Sequence, residues 1–294
     1  MKTLITGANG QVGWELRPFF AQLGEVVAID RDELDLTDEP AVRGFVRECR
    51  PNLVINAAAY TAVDQAEGES ALVHALNAGA PRILAEEAKA LSAPFITYST
   101  DYVFDGTSIE PYSEEAAPNP LSEYGRSKLA GDFAVQEVGG AYLILRTSWV
   151  YGTRGKNFLL TMLRLAEQRN EVRVVDDQIG APTWSRNLAQ ATFAIVQGAL
   201  SSRDVFGFLV ERSGVYNATC AGQTSWCGFA REIFRRSALN VNVVPIPSSA
   251  YSTPATRPQH STLSGDKLRA TFGVKLPDWQ DSLQQVLHEL CAQV

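Results

Sequence analysis

The stretch KTLITGANGQVG, Lys2 to Gly13, governs how the rest of the chain is read. A short apolar strand, KTLIT, runs straight into GANGQVG, a GxxGxxG spacing, and QVGWELRPFFAQLG after it has a helical pattern. Glycines at a strand-to-helix turn have separate uses. Gly7 allows the tight turn, Gly10 lets backbone approach a pyrophosphate, and Gly13 lets helix and strand pack closely. The helix N-terminus, at Gln11 and Val12, offers free N–H groups and the positive end of its dipole to phosphates. Such a trio also occurs in plain strand–helix turns, so its neighbours decide. Asp30 closes the next strand, EVVAI, where a carboxylate can accept from an adenosine ribose hydroxyl, and Arg31 can meet a 2′-phosphate. A dinucleotide is expected, either NADH or NADPH.

Outward from this turn the first half alternates strand and helix. EPAVRGFVRECR is helical and NLVINAA a strand; ALVHALNAGAPRILAEEAKALS is helical with an interruption or bend near Gly79–Pro81. PFITYST, a helix beginning near SEYGRSKLAGDFAVQE, and AYLILRTSWV follow. Strands separated by such helices imply right-handed crossovers and a parallel sheet covered on both faces. The fold class is therefore α/β, a Rossmann-type doubly wound parallel sheet with a smaller C-terminal substrate-binding region. Residues 1–150 read as the NAD(P)-binding domain. Residues 151–294, where Pro and Gly recur in QIGAPTW and PIPSSAYSTPATRPQHS, read mainly as the substrate region, partly folding back onto the first sheet.

The totals exclude several function classes. In 294 residues, 26 Lys and Arg stand against 33 Asp and Glu, a net charge of −7 with no block of one sign. No nucleic-acid footprint is expected, since that needs a clustered basic face. No apolar run approaches the roughly 20 residues that span a bilayer. Cys49, Cys220, Cys227 and Cys291 are scattered without a CxxC pair and read as reduced thiols. MKTLITGANG carries no signal-peptide pattern, so a cytoplasmic protein is expected. His74, His260 and His288 lack ligand-like spacing and read as structural or surface residues.

STDYVFDG, Ser99 to Gly106, raises a different question, because it ends a strand in consecutive polar residues. In an open parallel sheet, C-terminal strand ends face the ligand crevice, so these groups are expected at its mouth. Tyr124 and Lys128 follow, four apart on a predicted helix and therefore on one face. A phenol titrates near pH 10, too high for efficient proton transfer near neutrality. A nearby ammonium lowers that value, and Thr100 just ahead adds a hydroxyl. Alone, Y-x-x-x-K is common on helix surfaces; beside a dinucleotide loop it reads as an acid–base pair.

TGANGQVG, NAAAYTAVDQAE, STDYVFDG, YGRSKLAGD, LRTSWVYG, DDQIGAPT and TPATRP, in that order, resemble the dTDP-4-dehydrorhamnose reductases, extended short-chain dehydrogenase/reductases of nucleotide-sugar metabolism. The resemblance implies reduction of the C4 keto group of dTDP-4-dehydro-β-L-rhamnose by NAD(P)H to give dTDP-L-rhamnose, a step toward cell-surface polysaccharide. It implies Tyr124 as proton donor to the C4 oxygen, Lys128 lowering the phenol pKa and holding the nicotinamide ribose, and Thr100 hydrogen-bonding the carbonyl. It places Gly10, Gln11 and Val12 around the pyrophosphate, Asp30, Asp35 and Leu36 beside the adenosine, and Ala59, Tyr60 and Thr61 along the cofactor cleft. Asp101 and Trp149 are expected to contact the sugar nucleotide, although Trp149 in an apolar run also suits core packing. Arg257 is expected at the diphosphate or sugar. Asn77 matches a family asparagine beside the active site and equally suits a bend in its helix.

Related activities remain open at this point. A dehydratase or epimerase of the same superfamily keeps its NAD; dehydratases typically follow the threonine with two acids, whereas Thr100-Asp101-Tyr102 has one. A regulatory subunit resembling the methionine adenosyltransferase β subunit is a third reading. The resemblance also raises Mg²⁺, which some bacterial members bind between two subunits through glutamates matching Glu15 and Glu289. A third glutamate falls at Arg186, and a guanidinium has only donors to offer. No structural Mg²⁺ is expected, nor more than a monomer or weak homodimer. Arg186 is expected to pair with Glu15 or Glu289, and an exposed pair contributes about 0–1 kcal/mol.

Overall fold

The computed structural model describes residues 1–292. Five strands of the first half, β1 (Lys2–Thr6), β2 (Glu25–Ile29), β3 (Leu53–Asn56), β4 (Phe95–Thr100) and β5 (Tyr142–Thr147), join one strand from the second half, Gly214–Asn217. All six are parallel, in the order β2-β1-β3-β4-β5 followed by Gly214–Asn217. The chain runs outward from β1 to β2 and then returns to place β3 on the other side of β1. That reversal opens a crevice at the C-terminal strand ends.

The helices that frame the site are α1 (Gln11–Phe20), α2 (Glu39–Cys49), α3 (Val63–Ala66), α4 (Ser70–His74), α5 (Ala80–Ala90), α6 (Glu123–Val138), α7 (Phe158–Ala166) and α8 (Ser185–Leu200). Successive strand side chains point to opposite faces, and both faces are apolar. Ile5, Ile55, Ile96 and Leu145 enter one core with Leu16 and Phe20 of α1 and Leu188 of α8. Leu4, Val54, Phe95 and Ile144 enter the other with Val42 and Val46 of α2, Leu84 of α5 and Val135 of α6. Full burial of one such side chain contributes about 1.5–3 kcal/mol, so these two layers hold the sheet.

The interruption expected near Gly79–Pro81 is a π-helical turn, Ala75–Gly79, between α4 and α5. Pro81 has no N–H to return toward Asn77, and the widened turn ends just before it. Beyond residue 150 the chain forms small two-stranded pairs: Glu171–Val175 with Asn242–Ile246, Ile179–Gly180 with Thr224–Ser225, and Val150–Tyr151 with Thr183–Trp184. The second half also lends the sheet its edge strand and packs α8 on α1. The four cysteines are free thiols, and no helix among the described residues is long and apolar enough to cross a membrane.

Candidate active site

A cleft of about 650 Å³ lies at the C-terminal ends of β1, β2 and β3. Gly7 and Gly10 form one wall, Asp30, Arg31, Asp35 and Leu36 a second, and Ala59, Tyr60 and Thr61 a third. Gly7 has φ +70°, and a Cβ there would lie 2.6 Å from the Ala58 nitrogen. A Cβ on Gly13 would lie 2.1 Å from the Gly7 carbonyl oxygen, so Gly13 brings the helix against the loop itself rather than against a strand as expected. Gly10 caps α1 without a side chain, which leaves the first-turn N–H groups of Gln11 and Val12 without intrahelical acceptors. Those donors beside a glycine-walled cleft fit a pyrophosphate.

The side chains of Gln11 and Val12 point elsewhere. The Gln11 amide bonds the Val150 carbonyl at 3.5 Å and accepts from Asn157 at 3.0 Å, while Val12 packs against the core. Asp30 is fixed at the cleft rim, its two oxygens accepting from the Asn9 N–H at 2.7 Å and the Arg31 N–H at 2.8 Å. Asp35 accepts from the Thr37 N–H at 2.9 Å and the Thr37 hydroxyl at 2.8 Å, which hold its carboxyl below the ordinary range.

α6 carries the acid–base pair. The Ser122 hydroxyl caps it, accepting from the Gly125 N–H at 3.2 Å. Gly125 permits close approach of the helix to the turn after β4, since a Cβ there would lie 2.3 Å from the Tyr102 carbonyl oxygen. Tyr124 is thereby brought beside Thr100, and its ring meets Tyr102 edge-on at 5.7 Å. Thr100 in turn donates to Asp101 at 3.0 Å and accepts from the Tyr102 N–H at 3.2 Å. Asp101 is buried, and burial pushes its carboxyl up to about 7.

Lys128 is buried one turn beyond Tyr124 and donates from Nζ to the Tyr98 carbonyl at 2.6 Å. Burial brings its pKa down to about 8. The expected lowering of the phenol by Lys128 is corrected here. Desolvation dominates at Tyr124 and pushes it up to about 12, opposed by the neighbouring Thr100 hydroxyl, while the Lys128 ammonium is turned to the Tyr98 carbonyl.

On the sugar side, Trp149 is half-buried with φ +46° and stacks on Trp226 at 3.6 Å and 7°. A Cβ on Gly180 would lie 2.5 Å from the Trp149 indole, so glycine makes room for it. Arg257 donates to Asp64 at 2.7 Å, to Thr253 at 2.6 Å and to the Ala255 carbonyl at 3.1 Å. Its guanidinium is thus engaged within the chain. Asp64 also accepts from the Ala255 N–H at 3.2 Å, which fastens the 253–257 loop to α3.

The family described as RmlD substrate binding domain matches residues 1–292. The chain belongs to the dTDP-4-dehydrorhamnose reductase family. It is 48% identical over 301 residues to the dTDP-4-dehydrorhamnose reductase of Burkholderia thailandensis, covering 100% of both chains. With the Escherichia coli K12 enzyme of that name it shares 41% over 301 residues, 99% of this chain and 98% of the other. The crystal structure of the Clostridium acetobutylicum reductase superposes with a TM-score of 0.92 at 39% identity, covering 99% of this chain and 100% of that one. That of the Bacillus anthracis reductase in complex with NADP gives 0.89 at 36%, covering 98% and 99%.

Arg186 stands between Glu15 and Glu289. Its Nε donates to Glu15 at 2.8 Å and its Nη2 to Glu289 at 2.8 Å, so it engages both carboxylates within one chain. The pair is not exposed as expected: the Glu15 side chain is 5% accessible and that of Arg186 30%. Three other residues of this reductase site were not assigned a role from sequence. Asp64 acts on Arg257, Asn157 on Gln11, and Asp132 lies on the α6 face below Lys128. Each lay in plain view, but its partner is remote in sequence. Asn77 serves the site and the bend together: in the π-helical turn it accepts from the Tyr60 N–H at 2.8 Å and donates to the Ser127 hydroxyl at 3.0 Å.

Proposed function

We propose that this chain reduces the C4 keto group of dTDP-4-dehydro-β-L-rhamnose to dTDP-L-rhamnose, using NADPH or NADH. The observation that carries this reading is the juxtaposition of Tyr124 with Thr100 at the mouth of a sheet whose adjoining cleft suits a dinucleotide. Gly7, Gly10 and the N–H groups of Gln11 and Val12 would hold the pyrophosphate. Asp30, Asp35 and Leu36 border the adenosine, with Arg31 placed for a 2′-phosphate, and Ala59, Tyr60 and Thr61 line the path toward the nicotinamide. When bound, the reduced nicotinamide supplies the hydride.

The chain's own residues supply orientation and the proton. Thr100 holds the carbonyl oxygen, and Tyr124 donates its phenolic proton to that oxygen as negative charge develops there. A phenol raised by burial stays protonated at neutrality, as a donor must. Lys128 would hold the nicotinamide ribose through its ammonium donors. Asp101 and Trp149 flank the sugar. Arg257 meets the diphosphate by exchanging its bond to Asp64 for a charge-assisted one.

We read the protein as cytoplasmic, with residues 1–150 mainly binding cofactor and 151–294 mainly binding the nucleotide sugar. It takes no structural Mg²⁺ at Arg186 and is a monomer or weak homodimer. With NADPH deuterated at both C4 positions of the nicotinamide, deuterium should appear at C4 of the product sugar; deuterium found elsewhere, or not transferred, would contradict the reading.

A further inference from the structure

Three charged side chains lie buried together beside Tyr124, and the chemistry above uses only the first. Lys128, Asp132 and Arg146 are 4%, 3% and 4% exposed. Tyr124, Lys128 and Asp132 recur at four-residue intervals on α6 and so share one face. Arg146, on β5, donates from Nε to Asp132 Oδ2 at 3.1 Å. Its guanidinium lies over the Phe104 ring at 5.4 Å, and Nη1 is buried without a partner.

An ion pair this deep is a poor way to fasten a helix to a strand. Removing two charges from water costs several kcal/mol per ion, and well-packed apolar residues often serve stability as well or better. Lys128 supplies a reason for it. The Tyr98 carbonyl that receives its ammonium is a dipole and carries no countercharge. Asp132, one turn along α6, is the anion that favours charged Lys128; burial pushes the Asp132 carboxyl up, opposed first by the Arg146 guanidinium and then by Lys128.

We propose that Asp132 is a positioning residue of the reaction: its carboxylate, anchored by Arg146 one turn along the α6 face that carries Tyr124, keeps the buried Lys128 ammonium charged where the Tyr98 carbonyl holds it. This rests on the reductase reading. Asp132 touches neither substrate nor cofactor and acts through Lys128. Tyr124 shares the α6 face with Lys128 and Arg146 of β5 reaches it through Asp132, whereas the Tyr98 phenol of β4 turns to Thr192 on the other face of the sheet. On the helices packed against α6, His74 is engaged with Glu123, Asp64 with Arg257, and Lys89 with the Val138 carbonyl.

The test follows the pH dependence of NADP⁺ affinity, by tryptophan fluorescence, and of kcat with dTDP-4-dehydrorhamnose. It compares the wild type, Asp132→Asn, Asp132→Glu and Asp132→Asn/Arg146→Gln, each checked for folding by circular dichroism. Both quantities should fall on the alkaline side as Lys128 loses its proton, near its value of about 8. In Asp132→Asn and in the double variant that limb should move to lower pH by about one unit or more, the effect of losing an opposite charge nearby. Asp132→Glu should restore it. A folded Asp132→Asn with the wild-type limb would overturn the proposal, and so would loss of folding in both Asn-bearing variants, which would make the pair purely structural. A wild type that binds NADP⁺ but does not reduce the keto sugar would refute the reductase reading instead, with the binding limb still deciding the role of Asp132.

Discussion

Arg186 and Glu15, 171 positions apart in sequence, form an ion pair with Nε 2.8 Å from Oε2, and Glu15 is nearly sealed from solvent. Glu289 closes the group from the C-terminal helix, Trp279–Ala292. A guanidinium therefore occupies the position where the family resemblance places a third acidic ligand. Arg186→Ala would leave the buried Glu15 carboxylate without this partner and should cost about 1–3 kcal/mol in urea denaturation. The wild type should sediment identically in EDTA and in excess Mg²⁺. A dimer that forms only with Mg²⁺ and is lost in Glu15→Ala would contradict this account.

Tyr124→Phe keeps the ring, and with it the edge-on contact to Tyr102, but removes the proton. Its kcat should fall by about 10²-fold or more with NADP⁺ affinity unchanged, the usual scale of general acid catalysis. Lys128→Met should weaken both cofactor binding and turnover. Near-normal turnover by Tyr124→Phe would remove it from the mechanism.

Arg31 lines the cofactor cleft beside Asp30, whose carboxylate is already oriented by the Asn9 and Arg31 N–H groups. Arg31→Ala should raise KM for NADPH and leave KM for NADH nearly unchanged. Equal effects on both cofactors would make Arg31 a structural charge.

Glu87 on α5 is nearly buried and receives Arg47 at 2.7 Å and Arg43 at 2.9 Å from α2. The Arg47 hydrogen bond, then that of Arg43, holds its carboxyl below the ordinary value despite desolvation. A lowered carboxylate stabilises the fold fully above its unfolded pKa, near 4.3, and that contribution is lost as pH falls through the folded value. Glu87→Gln should therefore cost about 1–3 kcal/mol at neutral pH and progressively less below pH ~4. Urea titrations at both pH values check this; an unchanged difference would mean that the charge of Glu87 contributes nothing.

What was legible in the sequence was local. The glycine spacing, the apolar strands and the four-residue step from Tyr124 to Lys128 are short-range patterns, and each corresponds to an element of the observed α/β fold. The direction of the Tyr124 shift was not legible, because it depends on how much water the folded chain excludes and on where Nζ of Lys128 finds an acceptor. Arg257 is similar: its charge is plain in TPATRP, but its bond to Asp64 spans 193 positions. The burial of Glu15 arises only once α1 and α8 pack together.

The central claim is net carbonyl reduction, and cofactor stoichiometry tests it most directly. The purified chain is supplied with NADPH or NADH and with dTDP-4-dehydrorhamnose, against UDP- and GDP-linked keto sugars, and nicotinamide oxidation is measured beside product. The account predicts one cofactor oxidised per dTDP-L-rhamnose formed, with the dTDP-linked sugar preferred. Product formed without net cofactor consumption, or no turnover by the chain alone, would contradict it.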